Sequence, residues 1–110
     1  MKITKKDFYK ILEDEKDDVT EFADFLAERQ KEFHNENIVV SLEKYRDISL
    51  KELLSFLKIS NKHRGNRKSF VIVNNSINAN EVPEELIVVP SLREAEDLIQ
   101  MEEIERDLGF

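Results

Sequence analysis

Cysteine is absent from this 110-residue chain, which excludes a disulfide scaffold, a thiolate nucleophile and every zinc module built on cysteine. Histidine is scarce, and His34 and His63 alone cannot supply an all-histidine metal site. Two glycines leave no room for a glycine-rich phosphate loop of either common type. No strictly apolar stretch exceeds four residues, so neither a transmembrane helix nor a signal-peptide core is expected. Positive charge is also the minority: 17 Lys and Arg face 24 Asp and Glu, a formal charge of −7. That surplus repels a nucleic-acid backbone.

What is present favours a folded chain. Hydrophobic residues make up 40% and charged residues 37%, and the apolar residues are clustered despite a mean hydropathy of −0.53. The length fits one domain over residues 1–110. A small, acidic, cytoplasmic protein without a membrane segment is the expectation.

Elements follow from pattern. Residues 1–12 carry β-branched and aromatic side chains around a turn near residues 5–7, as two short strands would. The acidic run from Glu13 to Asp18 reads as a solvated loop. A helix is predicted over 19–33, with Asp18 and Glu21 at capping-box spacing and Val19, Phe22, Leu26 and Phe33 on one face. Ile38, Val39, Val40, Ser41 and Leu42 read as a strand covered on both faces. A second helix is predicted over 49–64. Ser49 and Glu52 cap it, Ile48 staples onto Leu53, and Leu50, Leu53, Leu54 and Leu57 form the buried stripe. Gly65 is expected to end it in a left-handed conformation. Core strands at 70–74 and 86–89 follow, with a helical turn at 83–85 between them. The last helix, over 91–108, opens on Ser91 and Glu94. Its expected apolar face is Leu92, Ala95, Leu98, Ile99, Met101, Ile104 and Leu108, closed by Gly109 and by Phe110 folding back toward Ile104. Strands alternating with helices predict an α/β fold, with a small, mixed, partly parallel sheet of about five strands packed with helices.

Few residues offer chemistry. Both histidines sit at predicted helix ends facing solvent, where they complement the helix dipole. The seven carboxylates between Glu94 and Asp107 read as a solvated outer face; an acid/base pair would need one of them in an apolar cleft. Lys58, Lys62, His63, Arg64, Arg67 and Lys68 form a basic island with no acid inside it. This is either a docking patch for an acidic partner or phosphate, or a helix end decorated with favourable cations. No aromatic residue lies inside it to stack on bases. Ser49 follows a core strand and its loop at a helix start. A phosphate there would meet unpaired N–H groups, and the hydroxyl alone would serve as a cap.

Over residues 38–110 the chain resembles a STAS domain, the module of anti-sigma factor antagonists. The stretches that carry the resemblance are Ile38-Val39-Val40-Ser41-Leu42, Asp47-Ile48-Ser49-Leu50-Lys51-Glu52-Leu53-Leu54, Ser69-Phe70-Val71-Ile72-Val73-Asn74 and Ser91-Leu92-Arg93-Glu94-Ala95. In that family an Asp-Ser-Ser-Gly-Leu motif opens the helix after the first of these strands. Here Ile48 occupies the place of the phosphorylated serine, Ser49 matches its neighbour, and Leu50 replaces the glycine. The resemblance implies a STAS-like (SpoIIAA-like) fold and a non-catalytic regulatory module. It would bind a protein partner, an anti-sigma-type regulator, around residues 44–57 through Lys44, Arg46, Asp47 and Ser49, with Ser49 a candidate for modification. No cofactor, metal or nucleic acid is implied.

The ending Met101-Glu102-Glu103-Ile104-Glu105-Arg106-Asp107-Leu108-Gly109-Phe110 is similar to that of short chains labelled ribonuclease Z. That enzyme needs a His-x-His-x-Asp-His cluster, and two histidines 29 positions apart cannot build one. An accessory role in RNA processing and a structural, oligomer-forming role are the alternative readings.

Overall fold

The computed structural model describes residues 1–109; Phe110 and its expected fold-back lie outside the described residues. Five strands form one sheet in sequential order. β1 (Lys2–Lys5) and β2 (Lys10–Glu13) are an antiparallel pair. Their turn closes where Lys6 N–H donates to the Tyr9 carbonyl at 2.9 Å, slightly later in the chain than expected. β3 (Ile38–Ser41), β4 (Phe70–Val73) and β5 (Val88–Val89) then add in parallel. Parallel neighbours require long crossovers, and the helices supply them. The predicted strand at 86–89 shrinks to two residues because Leu86 N–H bonds the Pro83 carbonyl in a turn at 3.0 Å. That bond makes the turn expected at 83–85, and a further 3-10 turn at Ala79–Glu81 precedes it.

Strand periodicity divides the core in two. Leu12, Ile38, Val40, Phe70 and Ile72 point to one face; Ile11, Val39, Val71 and Val73 point to the other. The first face is covered by α1 (Val19–Glu28), α2 (Gln30–Phe33), α3 (Leu50–Leu54) and α4 (Leu57–Gly65). The second is covered by α5 (Leu92–Asp107), chiefly through Ala95 and Ile99. Each fully buried aliphatic or Phe side chain stabilises by about 1.5–3 kcal/mol.

Both long predicted helices on the first face are broken. Arg29 separates α1 from α2 and bonds the Leu26 carbonyl at 3.1 Å. Between α3 and α4, Ser55 and Phe56 N–H groups bond Glu52 and Leu53, the tighter three-residue pattern. This break rotates α4, so the buried side chains are Leu53, Phe56, Ile59 and His63. Leu54 is 39% exposed, and Leu50 and Leu57 are half-buried. Phe56 instead meets Phe22 edge-on at 6.4 Å between ring centroids.

The ends also differ from expectation. Gly65 is helical, and the left-handed residue is Arg67 at φ 62°. Gly109 does adopt the positive φ expected after α5, at 85°. Along α5 the predicted apolar face does not bury as one: Met101, Ile104 and Leu108 are 56%, 60% and 67% exposed. The inward side of that half is polar. Ser69 Oγ donates to Glu102 at 2.6 Å, Asn37 Nδ2 donates to Glu103 at 2.7 Å, and Arg106 donates to Asn37 Oδ1 and Ser69 Oγ at 3.2 Å each.

Candidate functional site

The carboxyl ends of β2, β3 and β4 bring three loops together. The middle one, residues 42–49, carries the sequence-predicted partner loop. Leu42 and Ile48 are buried at its two ends, so the segment between them is held at both feet. Asn74, directly after β4, is buried and donates through Nδ2 to the carbonyls of Leu42 at 2.9 Å and Tyr45 at 2.8 Å. Its Oδ1 accepts from Ser76 N–H at 2.9 Å, and Ile48 N–H donates to Ser76 Oγ at 3.3 Å. A buried amide with all these partners specifies one loop conformation.

The other side of the loop is tied to the segment after β2. Lys44 Nζ donates to the Asp14 carbonyl at 2.8 Å and to the Lys16 carbonyl, and lies 3.4 Å from Asp17. Tyr45 OH donates to Asp14 Oδ2 at 3.0 Å. Burial first, then the Asp14 carboxylate, pushes the Tyr45 phenol far above its ordinary pKa, so it remains a donor. Lys44 is thus a positioning group for the loop. Arg46 and Asp47 are exposed and make no ion pair among the described residues.

Ser49 is exposed and forms the expected reciprocal cap. Its Oγ accepts from Glu52 N–H at 3.1 Å, and Glu52 Oε1 accepts from Ser49 N–H at 3.0 Å. Ile48 and Leu53 share the first-face core, as a staple requires. Beside the loop lies a cleft of about 290 Å³ lined by Phe22, Phe25 and Met1 together with Asp14, Glu15, Lys16, Asp18 and Glu21. Among the described residues no group of three or more His, Asp or Glu is placed to hold a metal ion.

The basic island is divided by the fold. His63 is buried, which corrects the expectation that both histidines face solvent; its Nε2–H donates to the Glu36 carbonyl at 2.6 Å. Burial pushes its pKa down. Arg64 pairs with Glu102 at 2.9 Å and donates to the Phe70 carbonyl at 3.1 Å, so α5 sets an acid against a stretch that has none in sequence. Lys58 and Lys62 are exposed on α4, while Arg64, Arg67 and Lys68 line one cleft together with Arg106, Glu102 and Glu105. The six residues do not form one surface. Sequence reasoning missed Asn74 and Asn37. Their signal was an asparagine flanking a wholly apolar strand, where a polar side chain must find backbone partners.

No protein-family model matches the chain, and no curated protein does. Among solved structures it is similar to a serine-to-glutamate variant of RsbS, a STAS-domain protein, from Moorella thermoacetica. The two are 14% identical and superpose with a TM-score of 0.64 over 90% of this chain and 93% of that one. With its antiparallel opening pair, its parallel strands and the loop-capped helix after β3, the chain has the STAS fold.

Proposed function

We propose that the chain is a non-catalytic regulatory module that binds a protein partner through the surface around residues 44–57. The observation that carries this reading is the loop pinned by Asn74, which presents Arg46, Asp47 and Ser49 to solvent in one conformation. A preorganised loop loses little entropy on binding. The fold likeness to an anti-sigma factor antagonist supports a regulatory role. Leu54, exposed on α3, adds an apolar contact next to the charged residues. Lys44, itself exposed, fastens the loop to the Asp14 and Lys16 carbonyls, and Ser49 mainly caps α3.

Affinity capture from the native cell extract, followed by mass spectrometry of partners and phosphosites, tests the reading. Arg46→Glu and Asp47→Lys are expected to abolish capture of the partner while the circular dichroism spectrum is unchanged. A partner retained equally by both folded variants would overturn it. The capture expected is of a protein; precursor transfer RNA is expected to be neither bound nor cleaved by the pure chain.

A further inference from the structure

The carboxyl half of α5 is built with its polar side inward. Glu102, Glu103 and Arg106 face Ser69, Asn37 and Arg64, and the ion pairs Arg64–Glu102 and Arg106–Glu103 are both 2.9 Å long. Met101, Ile104 and Leu108 stand on the opposite side, spaced by three and four residues, and so line one outward stripe. They are the most exposed large apolar side chains among the described residues. Scattered exposed apolar residues need no explanation, but a contiguous helical stripe opposite the core marks an interaction surface.

The charges around the stripe select its occupant. Glu94, Asp97 and Asp107 are exposed on α5, Glu105 shares a cleft with Arg64, Arg67, Lys68 and Arg106, and Arg93 is the one exposed cation on that helix. Glu102 and Glu103 are already neutralised by their arginines. A second copy would bring the same acidic border against itself, which costs binding energy through like-charge contact. We propose that this face of α5 docks a cationic amphipathic helix of a partner protein, with its apolar side on Met101, Ile104 and Leu108 and its Lys or Arg residues against the acidic border. This surface is the outer side of the helix that covers the second face of the sheet, away from the loop at residues 42–49.

The test uses the full chain and two synthetic amphipathic peptides with leucines at helical spacing, one flanked by lysines and one by glutamates. Fluorescence anisotropy is expected to show binding of the lysine peptide that weakens with salt, and none of the glutamate peptide. Met101→Ser with Ile104→Ser should weaken it about tenfold or more, whereas Ile3→Ser, an exposed apolar residue on β1, should leave it unchanged. Circular dichroism establishes that each variant is folded. Equal binding of both peptides, or an undiminished affinity in the double variant, would overturn the proposal. So would a homodimer in sedimentation that the double variant abolishes, since the occupant would then be a second copy.

Discussion

The side-chain amide of Asn74 donates to the Tyr45 carbonyl at 2.8 Å and thereby fastens the end of β4 to the exposed loop after β3. The same nitrogen reaches the Leu42 carbonyl, which also accepts from Tyr45 N–H at 3.1 Å, so one side chain holds both ends of that turn.

Asn74→Ala is therefore expected to cost about 1–3 kcal/mol, the range for leaving buried polar groups unpaired. Urea denaturation measures it. Hydrogen exchange at Ile48 should also speed up, because Ser76 then loses the Oδ1 that positions it. A loss under about 0.5 kcal/mol, as for an ordinary surface substitution, would show that the loop holds without this pin.

The rotated α3–α4 pair makes a comparison within one segment. Leu53→Ala should destabilise by about 2–5 kcal/mol and Phe56→Ala by about 3–5 kcal/mol, since both are fully buried. Leu54→Ala, on the exposed side, should stay within about 0.5 kcal/mol. The reverse ranking in chemical denaturation would mean that the helix packs on its other face.

Ser49→Ala removes the acceptor for Glu52 N–H and should cost about 0.5–2 kcal/mol. Ser49→Asp keeps an acceptor there and should be nearly neutral for stability. If the hydroxyl mainly caps the helix, both variants retain the partner. Binding abolished by the aspartate alone, in a folded protein, would instead make Ser49 a phosphorylation-type switch.

His63 gives the protein a pH dependence of known sign. Burial, the largest influence, lowers its pKa below the ordinary 6.5, with the nearby Arg64 charge acting in the same direction. The unfolded chain then binds a proton more readily than the folded one. The stabilisation is complete above pH 6.5 and is lost as pH falls from there through the depressed folded value. Denaturation midpoints should drop between pH 7.5 and 5.5, and His63→Gln should flatten that slope. An equal slope in the variant would assign the effect to other groups.

Two backbone positions invite stabilising changes. Arg67 holds a left-handed conformation that favours glycine, so Arg67→Gly should stabilise by up to about 1 kcal/mol. Gly65 is helical, and nothing lies within 4 Å of an added Cβ. Gly65→Ala should therefore stabilise by about 0.5–1 kcal/mol. Thermal melting checks both, and a lowered Tm for either would show that the helix end is read wrongly.

Sequence by itself determined where the three capped helices begin and that no cysteine chemistry is available. Asp18, Ser49 and Ser91 cap their helices as spacing predicts, because a cap uses only neighbours three residues away. The apolar runs at 38–41 and 70–73 became parallel core strands because strands buried on both faces are apolar nearly throughout, whereas the third kept only the half-buried pair Val88 and Val89 at the sheet edge. Tertiary structure decided the rest, since helical periodicity gives the same pattern for a side chain facing a sheet and one facing solvent. It turned Met101, Ile104 and Leu108 outward and Leu54 away from the core, while drawing His63 inward from a basic run. It also gave Arg64 an acid 38 residues away and joined Asn74 to Tyr45 across 29 residues. Such pairings depend on how β3, β4 and α5 meet in space, and no local spacing encodes that distance.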